Sequence, residues 1–267
     1  MIFTNSTARV AAWNLAGFQT IRPERARAQV EGLILLDAEL IALVEVKPFS
    51  YMETLIDGLA DKDMSYQSVM LRQHSDLNMG VLFKEGVDVT NPRFIEGSDL
   101  GDPAKRKAMV VDVKIGRFDF ILIIVHLKSG RGKKEQEIRD EQCKVIGAFI
   151  TNLRDEHRRE DVILLGDFNM IPGEDISNFH HLGGDDIMNF ISSWDLQDRY
   201  SHILPKGRAN LLDGFAISRT YSTEYVRGSL RLFPMHWAMN KGRESFRTDV
   251  SDHLPFVASF RIDRSRD

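Results

Sequence analysis

The chain has 267 residues, of which 35 are Lys or Arg and 39 are Asp or Glu, so its formal net charge is −4. Hydrophobic residues at 43% and charged residues at 28% are ordinary globular proportions and exclude a disordered chain. The single cysteine, Cys143, excludes an intramolecular disulfide and a cysteine-rich zinc site, so any metal must be bound by oxygen or histidine.

The sequence also gives expectations about the compartment, the partners and the domain organisation of the protein. No run approaches the roughly 20 apolar residues of a membrane helix, and residues 1–10 lack a basic start followed by an apolar core. We therefore expect a soluble monomer that is cytoplasmic rather than secreted. The weakly acidic balance argues against coating of nucleic acid, but it is compatible with a local basic groove. Without a linker or internal repeat, residues 1–267 are predicted to form one domain.

Apolar runs rich in β-branched and aromatic residues predict strands, and apolar residues at helical spacing predict two helices. In chain order the predicted elements are strand Arg9–Trp13, helix Pro23–Leu36, strands Leu40–Val46, Gly80–Phe83, Met109–Ile115 and Phe118–Val125, helix Lys134–Arg154, and strands Val162–Leu165, Leu212–Ser218 and Phe256–Ile262.

Local signals support these elements. Pro23 can open the first helix, and a stripe from Ile138 to Leu153 gives the second one an apolar face. Gly116-Arg117 forms a two-residue turn between two strands, which are therefore expected to pair antiparallel. Strands in runs, interrupted by helices, favour the α+β class. We predict a two-sheet β-sandwich flanked by helices on both outer faces.

Polar residues interrupt the apolar runs at their ends. The six places are Trp13-Asn14, Val44-Glu45, Val125-His126, Gly166-Asp167-Phe168-Asn169, Leu212-Asp213 and Ser251-Asp252-His253. A single Asp or Asn after a strand usually makes a turn through its own backbone. Six such ends in one chain instead predict a functional site, because strand ends at one edge of a sandwich converge in space.

These residue types suit phosphoester chemistry with a divalent cation. Hard oxygen ligands, which favour Mg²⁺ with Mn²⁺ as a substitute, are offered by Asn14, Glu45 and Asp252. The remaining polar ends provide proton transfer and charge stabilisation through two histidines and an aspartate, His126, His253 and Asp213.

A basic segment follows one of these histidines. The segment His126–Lys134, HLKSGRGKK, is the strongest local concentration of positive charge in the chain. A solvated loop before a helix is the simple alternative, but attachment to His126 favours a phosphate-binding rim with Lys128 and Arg131 as its contacts. Residues 241–247, including Arg243, could extend this rim.

Seven segments resemble the endonuclease/exonuclease/phosphatase superfamily, which includes deoxyribonuclease I, apurinic endonucleases and neutral sphingomyelinases. They occur in the family's order from Ala11 to Phe260 and read AAWNLAG, LVEVK, RKAMVVDV, VHLKSG, LLGDFNMIP, LLDGFAIS and SDHLPFVASF. The resemblance implies a deoxyribonuclease I-like sandwich with a hydrolytic site for phosphate esters.

The resemblance also implies roles for individual residues. Glu45 resembles the family's direct metal ligand, with Asn14 supporting the metal or a phosphate oxygen and Asp252 completing the site. His253 is similar to the general base that takes a proton from the attacking water, and Asp213 matches the aspartate that orients it.

Four further positions match the family's substrate-facing residues. Asp167 and Asn169 resemble the pair that positions the water or leaving group, and His126 matches the phosphate-binding histidine. Arg106 falls where deoxyribonuclease I-like members have an arginine ahead of a strand.

Two departures from the family pattern narrow the prediction. Most members have Gln before the metal-binding glutamate, and here that position is Val44. VHLKSG differs from the corresponding segment of abasic-site endonucleases, which favours the deoxyribonuclease and sphingomyelinase side of the family. No carboxylate partner for His126 stands out, and Asp76 and Asn78 are the candidates.

The leading hypothesis is a Mg²⁺-dependent phosphodiesterase that hydrolyses nucleic acid, DNA in preference to RNA. One alternative is a phosphatase or phospholipase C-like enzyme acting on inositol phosphates or sphingomyelin, which the acidic net charge favours. Another is a binding module without activity, against which the complete set of polar residues argues. Trp194, Trp237 and Phe246 could stack bases but are expected in the core. His74, His157, His180, His181, His202 and His236 are expected to be structural or surface histidines.

Overall fold

The computed structural model describes residues 6–17, 22–157, 161–183, 188–190, 200–205, 209–218 and 223–263. The strands are β1 (Thr7–Asn14), β2 (Leu40–Val46), β3 (Tyr66–Leu71), β4 (Asn78–Lys84), β5 (Val87–Phe94), β6 (Met109–Ile115), β7 (Phe118–His126), β8 (Asp161–Asp167), β9 (Met188–Phe190), β10 (His202–Ile203), β11 (Ala209–Asn210), β12 (Asp213–Ser218), β13 (Arg231–Leu232) and β14 (Phe256–Arg261). The helices are α1 (Pro23–Leu36), α2 (Tyr51–Ala60), α3 (Lys133–His157), α4 (Ile176–His181), α5 (Met235–Ala238) and α6 (Arg243–Asp249).

Two mixed sheets face each other. The first has the strand order β13-β14-β1-β2-β4-β3, and the second has the order β5-β6-β7-β8-β12-β9. Parallel pairing joins β1 to β2 and β7 to β8, whereas the other described pairs in these sheets are antiparallel. A short β10-β11 pair lies apart from both sheets.

Alternation along β7 shows how the second sheet is filled on both faces. Leu122 and Ile124 belong to the core between the sheets, whereas Ile123 and Val125 join the outer core with Ile146 of α3. Because side chains alternate along a strand, an almost continuous apolar run is the pattern of a strand covered on both faces.

Helix α1 covers the outer face of the first sheet. It begins at Pro23 and ends where Asp37 adopts the left-handed conformation with φ of 44°. A Cβ at Gly32 would lie 2.6 Å from the ring of Trp13, so the absence of a side chain allows this helix to approach β1 closely.

The predicted α+β sandwich with helices on both outer faces is confirmed. The bounds of helix Pro23–Leu36 agree with the prediction. The second predicted helix, Lys134–Arg154, begins one residue earlier and ends three residues later, at Lys133 and His157. All eight predicted strands are present. The predicted Leu212–Ser218 strand begins at Asp213, and the Phe256–Ile262 strand ends at Arg261.

Several elements have no counterpart in the sequence prediction. The apolar pattern of β5 is interrupted at Asn91-Pro92, where the structure has an irregularity in the pairing with β6. Helix α2 is only ten residues long and contains Gly58, which is unfavourable in a helix but lies against Val30 of α1. Within the described residues, no helix is long and apolar enough to cross a membrane.

Candidate active site

Three neighbouring strands bring three of the predicted residues side by side. In the sheet register His126 of β7 is opposite Asp167 of β8, which is opposite Asp213 of β12. Each is an even number of residues from apolar side chains of the inter-sheet core, such as Ile124 and Phe215. The period of two therefore places all three polar side chains on the inner face, at the edge where that core ends.

The close approach of β7 and β8 requires a glycine just before Asp167. Gly166 has a φ of 127°, and a Cβ there would lie 2.3 Å from the carbonyl oxygen of Val125. A larger residue would force the strands apart and displace Asp167.

Asn14 connects the two sheets at this edge. Its Nδ2 donates to Asp167 Oδ2 at 3.1 Å and lies 3.3 Å from Glu45 Oε1, while its Oδ1 accepts the backbone N–H of Ala16 at 2.8 Å. The amide is 1% exposed. Asn14 therefore fixes two carboxylates relative to each other.

A β-bulge directs Glu45 into the site. The register between β2 and β4 shifts between Val44 and Val46, and Glu45 has a φ of 60°. Its Oε2 accepts the backbone N–H of Gly17 at 2.8 Å. Val44 is buried and apolar, so Gly17 and Asn14, and not the residue before it, support the glutamate.

His126 lies between the carboxylates of Glu45 and Asp167. Its Nε2 is 3.3 Å from Glu45 Oε1 and 3.7 Å from Asp167 Oδ2. Burial, together with the charges of Arg106 and His253, lowers the pKa of His126 well below its usual range. The ring is therefore neutral at physiological pH.

The candidate partners Asp76 and Asn78 do not contact His126. Asp76 pairs with Lys47 at 3.8 Å, and Asn78 donates to the carbonyl oxygen of Val46 at 2.9 Å. These two residues instead stabilise the end of the β2–β4 pair. Asn78 bonds to the backbone of β2, and Asp76 forms an ion pair with the residue that follows β2.

Asp167 lies at the centre of the set. Its Oδ1 accepts the backbone N–H of Asn169 at 2.9 Å. Burial and the nearby carboxylate of Asp213 raise the pKa of Asp167 to about 7. Asn169 has a φ of 50°, and its Nδ2 donates to the carbonyl oxygen of Leu127 at 3.2 Å.

His253 and Asp213 form the tightest pair in the site. His253 Nδ1 is 2.7 Å from Asp213 Oδ2, and its Nε2 is 3.9 Å from Asp167 Oδ2. Burial disfavours the charged ring, but the carboxylates of Asp213, Asp167 and Asp252 outweigh this effect and raise the pKa of His253 to about 10.

Backbone contacts hold this pair from both sides. Ser201 Oγ accepts the backbone N–H of Asp213 at 3.0 Å, and Ser251 Oγ accepts that of His253 at 3.0 Å. The indole of Trp13 donates to the carbonyl oxygen of His253 at 2.8 Å. The pair is therefore positioned by both sheets.

The third predicted metal ligand, Asp252, lies with a residue that the sequence analysis treated as structural. His202 Nε2 is 3.5 Å from Asp252 Oδ2, and the rings of His202 and His253 are 4.7 Å apart. Burial raises the pKa of Asp252, but His202 and His253 outweigh this effect, so the net shift is downward. His202 follows Tyr200-Ser201 in a segment without a strong strand pattern, so only its pairing with His253 reveals it.

The predicted metal and catalytic residues fall into overlapping groups of possible ligand atoms. Within each group, one donor atom from every member lies within 4.8 Å of the others. The groups found among the described residues are Glu45, His126 and Asp167; Asp167, Asp213 and His253; and His202, Asp252 and His253. The structure thus clusters the acidic and histidine side chains.

The three predicted substrate-binding cations differ in their surroundings. Arg106 is 8% exposed and donates to the carbonyl oxygen of Leu127 at 2.8 Å. Burial lowers the pKa of its guanidinium, against the opposing charges of Asp167 and Glu45. Arg106 therefore lies under the site, within the field of its acids.

Lys128 and Arg131 lie in the basic segment, and only Arg131 is paired with acids. The Arg131 guanidinium is 3.0 Å from both Glu174 Oε2 and Asp175 Oδ2. Lys128 Nζ donates to the carbonyl oxygen of Ser129 at 3.1 Å and has no ion-pair partner in the described part of the chain. The structure therefore leaves Lys128 more available to an anion than Arg131.

The aromatic residues considered for base stacking differ in their exposure. Phe246 is fully buried, whereas Trp237 is 61% exposed, and Trp194 lies outside the described residues. Arg243 lies 4.3 Å above the ring of Tyr200. Phe246 is therefore a core residue, as expected, and the exposure of Trp237 differs from the core position expected for it.

Gln29 of α1 is a second residue that the sequence analysis did not identify. It is fully buried, and its Nε2 donates to the carbonyl oxygens of Leu15 at 3.0 Å and Val250 at 2.7 Å. Its Oε1 accepts the hydroxyl of Tyr51 at 2.6 Å. Gln29 thus joins the segments that follow Asn14 and precede the Ser251-Asp252-His253 turn.

Comparisons with known proteins identify the family of the chain. The sequence model of the Endonuclease/Exonuclease/phosphatase family matches residues 11–253. No curated protein matches the sequence.

Solved structures share the fold at low sequence identity. Truncated TDP2 from Caenorhabditis elegans is 16% identical, with a TM-score of 0.72 over 96% of this chain and 97% of that chain. TDP2 from D. rerio, complexed with a single strand DNA product, is 18% identical, with a TM-score of 0.71 over 96% and 100%. The human Nocturnin catalytic domain with a bound sulfate anion is 17% identical, with a TM-score of 0.67 over 97% and 96%.

Proposed function

Because the chain belongs to the endonuclease/exonuclease/phosphatase family, we propose that it is a divalent-metal-dependent phosphodiesterase that hydrolyses nucleic acid, with DNA preferred over RNA. The observation that carries the proposal is the buried Asp213–His253 pair, whose free nitrogen faces Asp167. A D. rerio TDP2 of the same fold is complexed with a single strand DNA product, which supports DNA as the substrate.

The Asp213–His253 pair supplies a general base. Asp213 accepts from Nδ1, which directs Nε2 towards the site. Without a cation the surrounding carboxylates raise the pKa of His253 to about 10. A bound divalent cation would offset their charge and lower this pKa, so that Nε2 could take a proton from water. The carboxylate also stabilises the imidazolium that forms, as in other aspartate–histidine pairs. His253 therefore activates the attacking water.

Other residues hold the phosphate and the leaving group. His126 and Arg106 offer buried donors on the same edge, and Asn169 is fixed by its own backbone contacts. Asp167, with a pKa of about 7, can exchange a proton near neutral pH. These groups orient the ester in line with the water and neutralise its developing charge.

The residues fit a divalent cation of the Mg²⁺ type, with Mn²⁺ as a substitute. Glu45 Oε1 faces the site while Oε2 is occupied by a backbone N–H, and carboxylates dominate the set, as hard cations require. Glu45 would hold the cation, and Asn14 would support it by fixing the carboxylates of Glu45 and Asp167. Asp252, the third predicted ligand, is grouped with His202 and His253 rather than with Glu45. When bound, the cation supplies positive charge that stabilises phosphate oxygens and offsets the excess of carboxylates.

The test is hydrolysis of supercoiled, linear and single-stranded DNA and of RNA, with Mg²⁺, with Mn²⁺ and with EDTA. We expect cleavage that needs the cation and is abolished in Asp167→Asn. Intact nucleic acid in every condition, with no difference between the variant and the wild type, would contradict the proposal.

Two observations favour a second candidate, a phosphatase or phospholipase C-like hydrolase. The net charge is −4, and Arg131 of the basic segment is neutralised by two acids, which weakens attraction to a polyanion. A panel of soluble phosphate esters and sphingomyelin distinguishes the two, because turnover of one of them without nuclease activity favours this candidate.

A further inference from the structure

A cluster of two histidines and one aspartate lies at the outer edge of the candidate active site. One donor atom each from His202, Asp252 and His253 lies within 4.8 Å of the other two. His202 Nε2 is 3.5 Å from Asp252 Oδ2, and His253 Nε2 is 3.9 Å from Asp252 Oδ1. This cluster differs from the other possible ligand groups because it contains two imidazoles.

The backbone holds these three residues in place. An isolated antiparallel bridge pairs His202 with His253. The N–H of Ile203 donates to the carbonyl oxygen of Asp252 at 2.7 Å, and the N–H of Leu254 donates to that of Ser201 at 2.7 Å. The cluster is therefore preorganised, and little ordering is needed for a ligand to bind.

The ring of His253 already has the arrangement of a metal-binding histidine. Its Nδ1 is bonded to Asp213, which leaves Nε2 between Asp252 Oδ1 and Asp167 Oδ2, at 3.9 Å from each. Metal-binding histidines commonly donate their other ring N–H to a carboxylate, which fixes the tautomer and raises the basicity of the ligating nitrogen.

The donor set selects the kind of ion. Two imidazoles and one carboxylate suit Zn²⁺, whereas Mg²⁺ prefers oxygen ligands and its own waters. A tetrahedral zinc ion with bonds of about 2.0–2.1 Å places its ligands about 3.4 Å apart. His202 Nε2 and His253 Nε2 lie 3.5 and 3.9 Å from different oxygens of Asp252, and one donor atom from each residue lies within 4.8 Å of the other two, so the three donors need to move only slightly closer around an ion. The side chains of His202 and Asp252 are 18% and 31% exposed, so an ion can reach them from solvent.

We propose that His202, Asp252 and His253 form a zinc-binding site, distinct from the oxygen-rich position around Glu45. Zinc there occupies the Nε2 lone pair of His253. A consequence, which rests on the proposed function, is that bound zinc inhibits hydrolysis. A nitrogen that is coordinated to zinc cannot accept a proton from water.

Equilibrium dialysis against Zn²⁺ tests the site without relying on activity. Excess Mg²⁺ is included to occupy the oxygen-rich position. The pH is mildly alkaline because zinc must displace the protons of the imidazoles, and a higher pH favours that exchange. We expect one zinc ion per chain, with affinity weakened at least about tenfold in His202→Gln. Absence of zinc from the wild type, or equal binding by the variant, overturns the proposal.

Two further variants control for folding and surface binding. His202→Cys keeps a zinc ligand at the same position, so it should retain binding that His202→Gln loses. His181 pairs with Asp140 at 3.4 Å without a third possible ligand residue among those described, so His181→Gln should bind zinc like the wild type. Loss of zinc in both His202 variants, with native circular dichroism, contradicts ligation by residue 202.

An activity measurement separates the site from its consequence. With Mg²⁺ present, the zinc concentration that halves hydrolysis should rise at least about tenfold in His202→Gln. Absence of hydrolysis by the wild type refutes the proposed function, while dialysis still decides the site. Hydrolysis that zinc leaves unchanged, despite binding dependent on His202, refutes the inhibitory role.

Discussion

The floor of the candidate site and the basic segment are held in different ways. The floor is defined as Asn14, His126, Asp167, Asp213 and His253. These residues are buried and project from strand ends or from the turn before β14. The basic segment is exposed from Ser129 to Lys134. Lys128 donates to the carbonyl oxygen of Ser129, and Arg131 pairs with Glu174 and Asp175.

The two regions are therefore expected to have different roles: the floor carries out the reaction, and the basic segment attracts the substrate. Floor residues are fixed by sheet register and buried hydrogen bonds, so a small displacement changes the geometry of the reacting groups. Exposed cations act mainly through long-range attraction, which salt screens. We therefore expect floor substitutions to lower kcat and basic-segment substitutions to raise KM.

The largest effect is expected for Asp213→Asn. This change preserves shape but removes the carboxylate that orients and stabilises His253, so kcat should fall by about 10³–10⁴-fold, as for other aspartate–histidine pairs. Steady-state kinetics measure it, with thermal unfolding as a check on folding. A loss below tenfold would show that His253 does not depend on Asp213.

The same substitution should change how stability depends on pH in the metal-free protein. The pKa of His253 is raised from 6.5 to about 10 in the fold, so the stability from its charged form is fully present below pH 6.5 and lost as pH rises through about 10. The free energy of unfolding lost in Asp213→Asn should therefore be greatest below pH 6.5 and shrink towards pH 10. Denaturant titrations in EDTA measure this difference, and a constant difference would contradict it.

Two buried glutamines allow a matched comparison of the two regions. Gln29 joins the segments beside Asn14 and Ser251, whereas Gln142 accepts from the N–H of Lys128 and donates to the carbonyl oxygen of Ser98, each at 2.9 Å. Each change to Ala leaves backbone groups unsatisfied and should cost about 1–3 kcal/mol of stability.

Their effects on catalysis should differ. Gln29→Ala should lower kcat by about tenfold to hundredfold because the floor shifts, while Gln142→Ala should mainly raise KM. Kinetics of both variants at equal fractions folded measure the difference. Equal changes in kcat would show that the basic segment affects the geometry of the floor as much as Gln29 does.

The smallest effects are expected within the basic segment. If the substrate is nucleic acid, Lys128→Ala should reduce the slope of log affinity against log salt by about 0.7–0.9, the value for one phosphate contact. Arg131→Ala should change it less, because Glu174 and Asp175 already neutralise this cation. Binding titrations at several salt concentrations measure both slopes, and a larger effect of Arg131 would reverse this assignment.

Periodicity in the sequence predicted the inner strands well because the core covers one or both faces of each strand. Leu40–Val46 and Met109–Ile115 have the predicted bounds. Edge strands escaped prediction because exposure removes the apolar pattern. In β3 only Tyr66 is fully buried, and β5 is interrupted by Asn91-Pro92.

The sequence by itself determined which polar residues end the strands and to which family their motifs belong, because both depend on order along the chain. Only the tertiary structure decided that a bulge directs Glu45 inwards, that Gln29 joins two site segments and that His202 lies beside Asp252. These contacts depend on hydrogen-bond register and on approach between residues far apart in sequence, neither of which leaves a local pattern.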